Sequence, residues 1–148
     1  MQESCDSVEI RLQSLLEDFR ELGAWSARLQ YLVEIGKHLP AISPEMRIEA
    51  NLILGCLSKV WLSCSHDNRI LRICGDAEAV MPRALVALVA LLFSGLSIED
   101  VAGEDVDVVG KLDLRRNLTP TRAAVLEVMI KRVRRYAKEI AEKQHESL

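Results

Sequence analysis

No apolar run in this sequence approaches the roughly 18 residues that a membrane-spanning helix needs. The longest candidate, ALVALVALLF from Ala84 to Phe93, suits a buried helix instead. The opening residues MQESCDSVEI lack the basic stretch followed by an apolar core that marks a secretory signal. Close cysteine pairs are missing as well. Cys5, Cys56, Cys64 and Cys74 form no C-x-x-C or C-x-H pair, and His38, His66 and His145 are scattered, so a structural zinc site is not expected. Nor is there an excess of positive charge: 19 Lys and Arg stand against 22 Asp and Glu, which argues against a general nucleic-acid binder. No internal repeat or low-complexity tract is present. These absences lead to the expectation of a soluble, cytoplasmic protein with free thiols, no metal, and neither membrane nor nucleic acid as a partner.

What is present is enough apolar residue for a core. At 148 residues and 49% hydrophobic, one domain spanning 1–148 is the default, with residues 1–7 and 144–148 expected to fray. Charge is unevenly spread. Met1 to Gly110 hold 9 basic and 17 acidic residues, and Lys111 to Leu148 hold 10 basic and 5 acidic, an asymmetry that fits a partner surface or the wet face of a long helix.

Periodicity organises the chain. Val8, Leu12, Leu15, Leu16, Phe19 and Leu22 recur at three- and four-residue spacings and predict an amphipathic helix capped by Gly23. A second helix is expected from Trp25 to about His38, ended by Pro40. After Asn51 the period changes: Val60, Leu62 and Cys64 alternate with polar or aromatic neighbours, and a second apolar-rich run spans Arg69 to Cys74. With Asp67 and Asn68 as the central turn residues, a hairpin forms with Cys64 opposite Leu71, Leu62 opposite Ile73 and Trp61 opposite Cys74. In that register Cys64 and Cys74 lie on opposite faces, which excludes a disulfide between them. Helical patterns return at Val80 to Phe93, from Ser97 as N-cap to about Ala102, from about Val106 to Leu112, and from Pro120, behind Thr119 as N-cap, to about Lys143. A small antiparallel sheet with helices before and after it is an α+β layout.

Among the thiols, Cys64 and Cys74 sit in alternating strands and read as packing residues, and Cys5 lies in the N-terminal tail. Cys56 differs. It follows Gly55 in a loop between an extended apolar segment and the first hairpin strand, where a side chain can be presented or withdrawn. Lys59 is the one basic residue near it in sequence, so no Cys–His pair arises. Its apolar neighbours Leu52, Ile53, Leu54 and Leu57 suggest a sheltered thiol with a raised pKa.

Several motifs together resemble the SufE family of sulfur acceptors: W-x-x-R-x-x-Y-L-x-E-x-G-K-x-L-P at Trp25 to Pro40, G-C-x-S-x-V-W at Gly55 to Trp61, and G-D at Gly75-Asp76. R-A-L-x-A-L-x-x-L-x-x-S-G at Arg83 to Gly95 and L-T-P-T-R at Leu118 to Arg122 extend the likeness, which runs from Leu15 to about Ala137. The resemblance implies a SufE/IscU-like fold with a sheet of about three strands. It also implies that Cys56 is the catalytic residue, taking persulfide sulfur from a pyridoxal-phosphate cysteine desulfurase of the SufS/CsdA kind. Delivery would be to a downstream acceptor or scaffold for iron–sulfur cluster assembly. On this view the chain is a sulfurtransferase-type accessory protein that stimulates the desulfurase and uses no cofactor of its own. Gly55 would hinge the loop, Ser58 hydrogen-bond its backbone, Trp61 anchor the next strand, and Glu78 and Arg122 lie near the site or partner surface. Leu57, the apolar Leu52 to Leu54 segment, and Glu78 in place of the commoner aspartate depart from the family pattern. Sulfur delivery in another pathway, a cluster-assembling scaffold and a non-catalytic desulfurase-binding module are the alternatives.

Overall fold

The computed structural model describes residues 6–40, 42–55 and 58–146, with side chains described up to residue 143 in the last helix. Among the described residues, seven helices and one two-stranded antiparallel sheet follow in the order α1 (Val8–Leu22), α2 (Trp25–Lys37), β1 (Val60–Asp67), β2 (Ile70–Ala77), α3 (Val80–Phe93), α4 (Ile98–Ala102), α5 (Val108–Lys111), α6 (Leu114–Asn117) and α7 (Pro120–Glu146). Two single 3-10 turns, Pro44–Met46 and Glu49–Asn51, carry the chain from α2 to β1. No helix among the described residues is long and apolar enough to cross a membrane.

The apolar α3 is the centre of the core. Ala84 to Val89, Leu92 and Phe93 are all buried, because α1 and α2 cover one side, the hairpin another and α7 a third. Gly36 of α2 lets that helix approach closely: a Cβ there would meet the Ala84 Cα at 3.0 Å. The motif residues of α2 serve the same packing. Trp25 meets the Phe19 ring edge-on at 5.9 Å, Arg28 lies over both rings and donates to the Phe19 carbonyl at 2.9 Å, and the Tyr31 hydroxyl donates to Asp18 at 2.8 Å. Aromatic pairing and an aromatic-stacked guanidinium thereby fasten α1 to α2.

The helix starts expected from sequence are present in detail. Ser97 accepts the Asp100 N–H at 3.1 Å and Thr119 the Arg122 N–H at 3.3 Å, each satisfying a first-turn donor that has no intrahelical partner. The Gly23 N–H closes α1 on the Phe19 carbonyl. Helix α5 is shorter than expected, because Asp107 caps it at the Gly110 N–H. Helix α6, unmarked in the sequence, follows from Asp113 in a left-handed conformation.

Two sheet expectations are corrected. The register is shifted by two residues: Cys64 pairs with Ile73, Leu62 with Gly75 and Trp61 with Asp76. The central turn residues are Asn68 and Arg69, both with positive φ (50° and 63°), as a two-residue turn matched to strand twist demands. A shift of two preserves side-chain parity, so Cys64 and Cys74 still face opposite sides, and both are free. The sheet has two strands rather than about three. In place of a third, Leu52 makes a single bridge to Trp61 on the outer edge of β1, and Ser97 makes one to Ile70 on the outer edge of β2. The 95–98 segment adds bonds from Leu96 and Gly95 to Leu71 and from Ile98 to Arg69, so both strand edges are partly covered.

Gly75 sets how closely the hairpin sits on α3. A methyl group there would lie 2.5 Å from the Trp61 carbonyl oxygen and 2.6 Å from the Val86 Cγ1. The carbonyl belongs to the paired strand and has little room to retreat. Gly75→Ala is expected to lower stability by about 1–3 kcal/mol, the usual cost of overpacking, read as a reduced denaturant midpoint with an unchanged slope.

Candidate functional site

The G-C-x-S loop joins the Leu52 bridge to β1, and Cys56 and Leu57 lie outside the described residues. Both arms that flank them are held by hydrogen bonds. Ile53 donates its N–H to the Val60 carbonyl at 2.8 Å and is buried, so the upstream arm of the loop is pinned to β1. Gly55 has φ +96°, a left-handed value that L side chains rarely adopt, and nothing lies near the position a Cβ would take. Glycine is therefore required there by backbone conformation and not by crowding.

Glu78 holds the downstream arm. Its carboxylate accepts the Lys59 N–H at 2.9 Å, while its own N–H donates to the Lys59 carbonyl at 3.0 Å. A residue that sequence placed near the site thus acts on the loop backbone. Trp61 is buried at the start of β1, with the Arg47 guanidinium 5.3 Å above its ring. Arg47 also pairs with Asp76, which is 6% exposed and takes a second arginine, Arg83, at 2.8 Å. The G-D motif is explained by these contacts: Gly75 for close packing, Asp76 as the ionic tie beside it.

Ser58 and Arg122 share a cavity of about 480 Å³, walled mainly by Ala79, Pro82, Leu85 and Val125 with Thr119 and Thr121 at the start of α7. An apolar hollow with a few polar groups at its edge is the usual form of a binding site. It opens directly beside the loop, because Ser58 is one of its walls. Ser58 makes no described hydrogen bond to the loop backbone. The apolar neighbours do not act together: Ile53 is buried, whereas Leu54 is 81% exposed and gives the loop no cover on its side.

Arg122, expected near the site from the family resemblance, lines the cavity with Ser58. Arg132 was not singled out from sequence: it reaches the Ala50 and Leu52 carbonyls from α7, far along the chain, and only the packing of that helix reveals it. Among the described residues no group of three or more His, Cys, Asp or Glu side chains is placed to hold a metal ion.

Comparison with known proteins now decides the family. The signature described as "SufE: Fe-S metabolism associated domain" matches residues 13–137. An uncharacterized SufE-like protein of Rhizobium etli is 36% identical over 132 residues, covering 86% of this chain and 89% of that protein. Another from Rhizobium meliloti is 34% identical over 128 residues, covering 83% and 91%. The chain belongs to the SufE family. The solution structure of a hypothetical protein from Thermus thermophilus has the same fold, with a TM-score of 0.72 at 21% identity over 87% of this chain and 94% of that one. Membership in SufE associates the protein with iron–sulfur metabolism and sulfur transfer.

In this SufE protein the described thiol of Cys64 is a poor nucleophile by position. Burial pushes the Cys64 thiol from 9.0 up to about 11, only partly offset by the Arg132 charge, so it stays protonated at neutral pH. The sign of the linkage follows. Between pH 9 and 11 the unfolded thiol loses its proton while the folded one keeps it, so stability falls as pH rises through that window. In urea melts, wild type is expected to lose stability relative to Cys64→Ala from pH 9 to 11, with a constant difference below pH 8. The loop clamp is checked by hydrogen exchange: Glu78→Ala should speed exchange of the Lys59 amide about fivefold, a loss of about 1 kcal/mol, and Glu78→Gln should retain most of the protection.

Proposed function

We propose that the protein is a sulfur carrier in which Cys56 accepts the persulfide sulfur of a pyridoxal-phosphate cysteine desulfurase and delivers it for iron–sulfur cluster assembly. The single observation that carries this reading is the setting of the Gly55–Ser58 loop: pinned at both arms, turned by a left-handed glycine, and placed at the edge of an apolar cavity. Family membership supplies the class of chemistry, and the loop geometry supports Cys56 as its bearer.

The transfer is a thiol exchange. The Cys56 thiolate attacks the outer sulfur of the desulfurase persulfide, a new S–S bond forms on Cys56, the old S–S bond breaks, and the desulfurase cysteine leaves as thiolate. No electrons enter or leave the pair, so no redox cofactor is required. The cavity beside Ser58 is suited to hold the loaded sulfur away from oxidants and competing thiols, with Arg122 at the edge to favour the persulfide anion. Docking on the partner turns the loop outward about Gly55 and exposes the thiol. Acceptor and donor both act through this loop, so the protein works as an accessory of the desulfurase.

The reading is tested by incubating the protein with a competent cysteine desulfurase and free cysteine, then weighing its peptides. The Cys56 peptide is expected to gain the mass of one sulfur atom, and Cys56→Ser is expected to gain none and to leave the desulfurase at its basal rate. Full stimulation by Cys56→Ser would instead identify a module that only binds and activates the enzyme.

A further inference from the structure

Ionic pairing sorts the cations of the basic C-terminal part of the chain into two groups. Arg115 is bound to Asp107 and Glu127, and Arg134 to Glu104, so the cations that face the α4–α5 side are answered by carboxylates. Arg122, Lys131, Arg132 and Arg135 form no ion pair among the described residues. Arg132 donates to the Leu52 carbonyl at 3.1 Å instead, and the other three are exposed. The unanswered charge therefore gathers along one side of α7.

Helical spacing sets these cations around an apolar strip. Thr121, Val125, Val128 and Arg132 succeed one another at four- and three-residue steps and form one stripe along α7. Thr121 and Val125 line the cavity that Ser58 also walls, while Arg132 meets Leu52. Val128, between them, is 41% exposed, and Leu54, two residues beyond Leu52 in the direction of Ser58, is the exposed apolar residue of that arm. On the far side of the cavity Val80, next to its wall residue Ala79, is 66% exposed. Leu54, Val128 and Val80 thus carry the apolar cavity wall out onto the surface. Lys131 and Arg135 edge this patch along α7, and Arg122 edges it at the cavity. The carboxylates carried by facing segments are Glu49, next to Ala50, and Glu78, whose side chain already accepts the Lys59 N–H.

We propose that this surface is where the protein docks its cysteine desulfurase, through a partner face with apolar side chains at its centre and carboxylates at its rim. The assignment specifies the partner face for the sulfur-carrier reading and rests on that reading. Two features carry it. Charge of one sign, unanswered within the chain, borders exposed apolar side chains, and the patch is continuous with the cavity beside the G-C-x-S loop. A specific interface combines a desolvated apolar centre with a polar rim, and complementary rim charge steers encounter more than it adds affinity. The whole chain has a net charge of −3, so an acidic partner is not drawn to the molecule at large and is steered by this basic patch alone. Lys131 and Arg135 guide approach, and Leu54 and Val128 hold the complex once it has formed.

The test measures binding between the full chain carrying Cys56→Ser and the cysteine desulfurase of the same organism, so that no sulfur transfer contributes. Association and dissociation rates are read separately at about 0.05 M and about 0.5 M salt. Lys131→Glu with Arg135→Glu is expected to weaken binding about thirtyfold at low salt, chiefly by slower association, and about threefold at high salt, where exposed charges are screened. Leu54→Ser with Val128→Ser is expected to weaken it about tenfold at both, chiefly by faster dissociation. Arg20→Glu and Ile10→Ser, which alter an exposed cation and an exposed apolar residue on α1, should bind like the parent chain. Lys131→Gln with Arg135→Gln adds no new charge and carries the charge test should the glutamate pair not fold, with a loss of about fivefold at low salt. Binding within about twofold of the parent for the folded surface variants would overturn the docking surface, as would an equal loss in the α1 controls or no binding by the parent at either salt. Sulfur loading of wild-type Cys56 at saturating desulfurase decides the carrier reading separately: loading together with unaffected binding in the surface variants keeps the carrier and removes this surface.

Discussion

The Asp76 carboxylate sits almost without access to water where β2 leaves the sheet, and three parts of the chain depend on it. Arg83 reaches it from the first turn of α3, Arg47 from the irregular segment ahead of the loop, and Arg47 in turn covers the Trp61 ring in β1. A buried carboxylate is tolerated only when its charge is answered, so the two arginines are held to it. That constraint places the start of α3, the first strand and the approach to the loop in fixed relation. Gly75 beside it lets the hairpin settle on Val86, which brings the same three parts to contact distance.

From this frame the loop inherits its character. Neither of its arms belongs to a regular element, and their positions are set by groups elsewhere: Val60 and Arg132 upstream, Glu78 downstream. Both arms are thus fixed by contacts from elsewhere in the fold, and Gly55 supplies the left-handed backbone at the end of the upstream arm. The cavity lined by Ser58 and Arg122 lies beside the downstream arm, because α7 starts beside α3 at that point.

The family motifs divide by physical role. W-x-x-R-x-x-Y, which looks like a recognition signature, is consumed by packing α2 on α1 through Phe19 and Asp18. The G-D pair is likewise structural. The polar residue that acts on the loop, Glu78, occupies a position where its carboxylate accepts the Lys59 N–H in place of a strand partner. Spacing alone distinguishes none of these uses, since each depends on what the facing element presents.

Local order was open to reading from residue types. The bounds of α1, α3 and α4, the Ser97 and Thr119 caps, the hairpin and the opposite-facing thiols follow from apolar period, turn chemistry and side-chain parity, which are short-range. Hairpin register was not settled there, because Asp-Asn and Asn-Arg are both acceptable turn centres and only the strand packing on α3 chose between them. The third strand reduced to a bridge because the apolar Leu52 to Leu54 stretch contributes Ile53 to the core and leaves Leu54 in water, too short a run for a ladder. Position and motif singled out the Cys56 loop from the sequence by itself. Glu78 was expected near that loop from the resemblance, but its bond to Lys59, the Arg132 bonds and the ionic tie at Asp76 were decided by tertiary structure, since hydrogen bonds and charge pairs between distant segments exist only once the core has brought those segments together.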